Sequence, residues 1–413
     1  MGKPVIFING SNVADAIGGG PSYARVHARA ALRLGFEPHI FCPAPRDDIF
    51  KTDFGIVHLV ASPFRPFGAV LSAGHAPLLA ESVERFLSGR EGPHLIHCFI
   101  WWRVGLIVRR KLRRKGIEAV AINGLYTTAD HEIRAKLQGI NSAHGIRQRL
   151  RYHAEGLWTR MVIEREERQI YRNARLLTYN YNSVRDLFRE RHGEGAEMRK
   201  LPYTSESAFL NEFQGNLPAV PEAITDLRAQ DAPLIVAISR HDPRKGLDVF
   251  LRALAELRAA GTRFRACLVG GGPLLESHRR MARRLGLENA VAITGRVDDP
   301  LPYLHHADVF ALPSIQEGSG SLSLIEALQA GLPIIASNID GIPEDVTYGD
   351  SALLVEAGTV SGLSQAIERV LTDHALRQRL ARRAREVFIE KFSADAFTNA
   401  IRETYAELGM TPN

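Results

Sequence analysis

Glu317, Gly318, Ser319, Gly320 and Ser321 run directly into an apolar stretch formed by Leu322, Leu324, Ile325 and Leu328, and that stretch carries a second carboxylate, Glu326. Such a glycine and serine loop can turn tightly, leave backbone N–H groups uncommitted and cap a helix, and backbone donors at a helix start attract anions. The two carboxylates cannot themselves cradle a phosphate, so they must face hydroxyls or cations. Anion donors beside hydroxyl acceptors suggest a nucleotide sugar. A second group, Arg240, Arg244, Lys245 and Gly246 in SRHDPRKG, follows the strand-like run 234–239, the place where ligands of open α/β sheets gather. A forked guanidinium and a point-charge ammonium there suit a diphosphate. Gly270, Gly271 and Gly272 permit close backbone approach, although a plain tight turn accounts for them equally well.

Strands alternating with helices must position these groups. Strand-like runs occur at 4–9, 38–42, 55–60, 94–99, 118–122 and 176–181, with amphipathic helices between them, a long arginine-rich helical region ending at 173, and Ser183 placed to cap the helix after the last run. Residues 203–233 are polar and proline-bearing and read as a linker. The alternation then restarts, with strands at 234–239, 265–269, 290–294, 307–312, 332–337 and 352–355. Alternation of this kind requires parallel sheets with right-handed crossovers.

Taken together, Glu317, Gly318, Gly320, Glu326, Ala327, Gly331 and Pro333 resemble the signature of the family-four retaining glycosyltransferases, glycosyltransferases group 1, with one residue more than usual between the two glutamates. The resemblance covers nearly the whole chain and is sharper after residue 234. It implies the α/β GT-B fold, two Rossmann-like parallel-sheet domains facing across a cleft: residues 1–203 binding the acceptor, 204–390 binding the nucleotide sugar, and a helix in 391–413 crossing back onto the first domain. By the same resemblance Arg240 and Lys245 grip the donor pyrophosphate, Arg296 and Val297 lie against the nucleotide base, and Glu326 accepts from the ribose hydroxyls. Glu317 contacts the transferred sugar, the backbone of Gly318, Ser319, Gly320, Ser321 and Leu322 lines the donor site, and Gly271 contributes a close backbone approach. Gly19 and Gly20, in the GGGPS segment that starts at Gly18, match the family's first glycine loop, which reaches the donor phosphates. Where many relatives have a histidine this chain has Asn123, followed by Gly124 and Leu125; His97, His131 and His144 are candidate substitutes, and each is as readily a core or surface histidine. Catalytic roles are therefore expected of Glu317, Arg240, Lys245 and Asn123.

The expected reaction moves a sugar from a UDP- or GDP-linked donor to a hydroxyl acceptor, in the synthesis of a glycan, a glycolipid or a glycosylated natural product, with retention at the anomeric carbon. No cofactor is expected beyond the donor substrate, and no metal, since no Asp-x-Asp pair occurs in the chain. A nucleotide-sugar epimerase of the same architecture and a non-catalytic nucleotide-sugar-binding subunit remain alternatives. An oxidoreductase is disfavoured, because no GxGxxG opens either half.

At 413 residues the chain suits two domains, and 45% apolar with 24% charged residues is the composition of a globular protein. No run of about 18 uncharged apolar residues is present, and the N-terminus lacks the pattern of a secretory signal, so the expected place is the cytoplasm, with a position peripheral to the inner face of the membrane as the alternative. Cys42, Cys98 and Cys267 are widely spaced among apolar neighbours and read as reduced core thiols. The net charge of +6 is unevenly distributed: Arg109, Arg110, Lys111, Arg113, Arg114 and Lys115 form one cluster, and Arg147, Arg149, Arg151 and Arg160 another. No nucleic-acid signature accompanies them. Each cluster is either a solvated helix face or a patch that contacts an anionic membrane.

Overall fold

Unbroken apolar runs mark the central strands of this protein, because helices cover both faces of its sheets. The computed structural model describes residues 2–15, 19–62, 75–99, 102–125, 129, 133–134, 137, 145–210, 213, 215–228 and 231–412. The chain divides into two units, one made of Met1–Leu137, Gly145–Phe209 and Ser393–Asn413, the other containing Leu210–Phe392.

The first unit holds β1 (Pro4–Ile8), β2 (Glu37–Ala44), β3 (Asp48–Thr52), β4 (Gly55–Ala61), β5 (His94–Phe99), β6 (Ala119–Leu125), β7 (Leu176–Tyr179) and β8 (Glu197–Lys200) in the order β3-β4-β2-β1-β5-β6-β7-β8. Every residue of β5 is buried, and its neighbours β1 and β6 pair with it in parallel. The second unit holds β9 (Leu234–Ile238), β10 (Arg265–Val269), β11 (Val291–Gly295), β12 (Val309–Leu312), β13 (Ile334–Ser337) and β14 (Leu353–Val355) in the order β11-β10-β9-β12-β13-β14, with each pair parallel. Counted from β9, this is the 3-2-1-4-5-6 order of a doubly wound sheet, whose direction of winding reverses between its first and fourth strands. The helix Leu247–Ala259 follows β9 and buries Leu247, Val249, Phe250, Leu251, Ala253, Leu254 and Leu257, more than one amphipathic stripe would, because it also packs against the helix Val360–Thr372.

Several expectations need correction. The first sheet is not parallel throughout: β3 pairs antiparallel with β4 across a tight turn, after which Gly55 takes a φ of 144°, and a Cβ there would stand 2.7 Å from the Pro38 carbonyl oxygen. The first half does not end at β7, since EMRK at 197–200 adds the edge strand β8; an edge strand has one partner and one covered flank, so it lacks an apolar run. Tyr181, not Ser183, is the N-cap of the helix Asn182–His192, and it gives no side-chain cap. Residues 203–233 carry the helices Glu206–Leu210 and Glu222–Arg228 rather than being a featureless linker. Asn123 was placed after its strand, but β6 runs on through Leu125, so Asn123 lies inside the sheet.

The three cysteines are buried and unbridged, and burial pushes each thiol up to about 12, so none is a ready thiolate. The last helix, Ala394–Glu407, is capped by Ser393, whose Oγ accepts from the Ala396 amide at 3.2 Å. It lies in the first unit, with Phe397 edge-on to His27, Tyr405 edge-on to Phe36, and Asp395 paired with Arg33 at 3.0 Å.

Candidate functional site

The reversal point of the second sheet lies between β9 and β12, and the two charged segments singled out in the sequence are the loops that leave these strands. After β9, Asp242 accepts from the Arg244 amide at 3.0 Å and caps a single 3-10 turn, Pro243–Lys245. Gly246 ends the turn at φ 58°, and a Cβ there would stand 2.0 Å from the Pro313 carbonyl oxygen. Only glycine allows the β9 loop to meet the β12 loop so closely. The two loops are then stitched through backbone: the Ile315 and Gln316 amides donate to the Arg244 carbonyl at 2.7 and 3.0 Å.

That contact brings together two charges 72 residues apart. Lys245 Nζ donates to Glu317 Oε2 at 2.6 Å, with the side chains 19% and 3% exposed. Ser314 Oγ donates to the other carboxylate oxygen, Oε1. Behind the loop, Asp340 Oδ2 accepts from the amides of Glu317 and Gly318 at 2.6 and 2.8 Å, and the Gly341 amide donates to the Ser319 carbonyl at 2.8 Å. Asp340 has φ 48° and is the one non-glycine residue with positive φ among the described residues. Asp340 and Ser314 were not identified from the sequence; the Asp340-Gly341 dipeptide is a turn signal that could have drawn attention, whereas Ser314 offers none.

The helix Leu322–Ala330 starts at Ser321, which is extended and whose hydroxyl is bonded to that of Ser323 at 2.9 Å rather than to the first-turn amides. Glu326 is half-buried in the middle of this helix, and Gly331 ends it in the left-handed conformation. Ser319, Gly320 and Leu322 are half-buried and Gly318 is buried at φ 81°.

The glycine turn after β10 completes the cluster. A Cβ on Gly270 would stand 2.1 Å from the Ser239 carbonyl oxygen, one on Gly272 2.4 Å from that of His241, and one on Gly271 3.1 Å from Arg296 Cβ. The three glycines therefore permit real backbone approach, and Gly271 and Arg296 are neighbours. Arg296 is exposed and Val297 half-buried. Arg240 is exposed, and its guanidinium has no ion pair or hydrogen bond among the described residues, while Arg244 pairs with Asp242 at 3.2 Å. On the β9 loop His241 is fully buried against the glycine turn, with its amide donating to the Gly271 carbonyl and Nδ1 2.9 Å from His278 Nδ1. Burial first, then the His278 and Arg279 charges, hold His241 down to about 4. Two Nδ1–H groups cannot share this contact, so one Nδ1 carries its ring's proton and donates while the other accepts. Neither histidine was singled out in the sequence.

The candidates of the first half belong to the other unit. Gly19 and Gly20 open the helix Gly19–Arg33; Gly18, His131 and His144 lie outside the described residues. Asn123 is 4% exposed, and its Oδ1 lies near Gly105, where an added Cβ would come within 3.4 Å. His97 is buried among Phe7, His27, Phe99 and Tyr405, and burial lowers it to about 3. A histidine so placed is a core residue. Among the described residues no group of three or more His, Cys, Asp or Glu side chains is placed to hold a metal ion.

The profile described as Glycosyl transferases group 1 matches residues 222–387. A GDP-mannose-dependent alpha-(1-6)-phosphatidylinositol monomannoside mannosyltransferase of Mycobacterium tuberculosis is 31% identical over 284 residues, covering 65% of this chain and 71% of that one. The chain belongs to the group 1 glycosyltransferases. Another similar glycosyltransferase of the group, the lipopolysaccharide core biosynthesis enzyme LpsE of Rhizobium meliloti, is 31% identical over 52% of this chain and 62% of its own. Among solved structures, sucrose-phosphate synthase from Thermosynechococcus elongatus superposes with a TM-score of 0.73 over 98% of this chain and 99% of that one, at 21% identity, which speaks for the fold alone: GT-B. Membership makes this protein a glycosyltransferase that uses a nucleotide-sugar donor, in place of the epimerase and the non-catalytic subunit. The matched residues 222–387 all fall within the second unit, where the Lys245–Glu317 pair lies.

Proposed function

We propose that this glycosyltransferase moves a hexose from a GDP- or UDP-linked donor to a hydroxyl of a glycan or glycolipid acceptor, with retention of configuration and without a metal ion. The observation that carries the reading is the Lys245–Glu317 pair at the reversal point of the second sheet, with the unpaired guanidinium of Arg240 on the same loop. Lys245 keeps two further N–H donors beyond the one given to Glu317, and Arg240 offers its whole fork, so the two can take the donor diphosphate. Glu317, steadied by Lys245 and Ser314, keeps acceptor capacity for a sugar hydroxyl. Glu326 serves the ribose hydroxyls, Arg296 and Val297 the base, and the backbone of 318–322 with Gly271 the phosphates and sugar. Gly19 and Gly20 supply amides to the donor phosphates, and Asn123, standing where many relatives have a histidine, hydrogen-bonds a hydroxyl of the transferred sugar.

In the reaction the bond between the anomeric carbon and the diphosphate oxygen breaks while the acceptor oxygen bonds to that carbon from the same face. The acceptor's proton passes to the departing phosphate oxygen. Stabilising the negative charge that builds on the diphosphate is the main work; Lys245, held by Glu317, is preorganised for it, and Arg240 adds its exposed guanidinium. The name of the mycobacterial relative favours GDP-mannose as the first donor to test. Incubation with a panel of GDP- and UDP-sugars and lipid or oligosaccharide acceptors, followed by NMR of the new linkage, tests the whole reading. Transfer with the donor's anomeric configuration supports it; an inverted linkage refutes retention.

A further inference from the structure

The helix Ile146–Trp158, in the first unit, leaves a row of large apolar side chains in solvent. Ile146 is 71% exposed, Leu150 60% and Leu157 60%, and Met161, four residues on in the π turn Thr159–Ile163 that continues the helix, is 63% exposed. At about 100° per residue the first three fall within about 40° of arc. Arginines border the row on both sides, Arg147 along one edge and Arg149 and Arg160 along the other, and all three are exposed. The helix carries one carboxylate, Glu155, on the opposite face, where it pairs with Arg151 at 3.5 Å. The π turn is the one element against which this helix packs substantially among the described residues. The other basic cluster differs: Lys111 and Lys115 pair with Glu84, and no large exposed apolar residue accompanies it among the described residues.

An exposed apolar row is costly in water unless something covers it, and the arginine border selects the cover. We propose that the face of Ile146, Leu150, Leu157 and Met161 lies in the headgroup region of an anionic lipid bilayer, with the leucine, isoleucine and methionine side chains entering the acyl boundary and Arg147, Arg149 and Arg160 paired with lipid phosphates. Arginine suits this position, because its stem can lie along apolar surface while its fork reaches a phosphate. A helix with a narrow apolar row and a strongly cationic border lies in the plane of the interface rather than across it.

Flotation of the full-length protein with vesicles tests the surface directly. The protein is expected to float with vesicles of phosphatidylcholine and phosphatidylglycerol, and to remain in the soluble fraction with phosphatidylcholine alone. The Leu150→Ser/Leu157→Ser variant should lose at least about tenfold in vesicle affinity. In the Arg147→Gln/Arg149→Gln/Arg160→Gln variant each lost charge should cost about fivefold. Circular dichroism and transfer to a water-soluble acceptor, both unchanged, would show that the variants are folded and that the donor site is untouched. Absence of flotation with the anionic vesicles would overturn the proposal, as would binding that both variants retain. A self-associated species in light scattering that the serine variant dissolves, with vesicles left unbound, would overturn it too by assigning the face to a second copy of the chain.

Discussion

Asp340 holds the amides of both Glu317 and Gly318 on one carboxylate oxygen, and does so from a left-handed backbone conformation. A non-glycine residue in that region costs about 1–2 kcal/mol, least for Asp and Asn, so the loop that carries Glu317 is held in shape by a residue under strain. Asp340→Ala is expected to lose about 1–3 kcal/mol of stability from the unmade hydrogen bonds and to lower turnover, because Glu317 loses its backbone anchor. Asp340→Asn keeps an acceptor oxygen and should recover most of both. Thermal unfolding and a transfer assay on the two variants check this.

Removing either cation from the β9 loop should weaken the nucleotide. Arg240→Ala and Lys245→Ala are each expected to cost about 2–3 kcal/mol in GDP or UDP affinity if their charge-assisted bonds are desolvated. Calorimetric titration measures it, and unchanged affinity in both would remove these residues from the donor site.

Glu317 and Glu326 should separate kinetically. Glu317→Ala is expected to lower kcat with donor binding largely kept, and Glu326→Ala to weaken the nucleotide first. Because Lys245 and Glu317 are in contact, the double variant should depart from the sum of the singles by about 0.5–3 kcal/mol. Normal turnover in Glu317→Ala would retire that carboxylate from the reaction.

Gly246→Ala should damage the site without touching a charge. The new Cβ would meet the Pro313 carbonyl, and the left-handed φ adds about 1–2 kcal/mol. The β9 and β12 loops must then part, so nucleotide affinity should fall together with the unfolding temperature.

Acid should destabilise the protein well above the carboxylate range. Burial depresses His97 to about 3 and His58 to about 4, as it does His241, and lowers His27, His39 and His278 as well. A depressed histidine binds fewer protons folded than unfolded, so stability is full above about pH 6.5 and falls as pH drops toward the folded value. His97→Phe keeps an aromatic ring in the Phe7, Phe99 and Tyr405 cluster and removes a buried Nε2 that has no hydrogen-bond partner among the described residues. Its unfolding temperature should therefore fall less than the wild type's between pH 6.5 and 4.

A chelator is expected to leave transfer intact. Loss of turnover in EDTA that magnesium restores would refute metal independence.

The second sheet was readable because β9, β12 and β13 are covered on both faces, which turns burial into unbroken apolar runs. The β3 hairpin and β8 were missed because edge strands need no such runs. SRHDPRKG and the Glu317 loop were each recognised as charged segments after strands. Their union was not readable: it depends on Gly246 meeting Pro313 across the sheet, a tertiary contact that leaves no local pattern. Asn123 was misplaced by the opposite effect, since Asn123 and Gly124 look like the end of a strand and only pairing with β5 and β7 carries β6 past them.

The last helix has a consequence for how the chain comes off the ribosome. Phe397 and Tyr405 complete the aromatic packing around His27, Phe36 and His97, and Glu403 and Glu407 reach Arg199 on β8. The part of the first unit that precedes residue 210 therefore cannot finish its own core until Ser393 and the helix after it have emerged, whereas every residue of the second unit precedes Ser393. Domains usually mature in the order of translation; here the earlier unit must wait, with His27 and Phe36 uncovered, while the later one closes first.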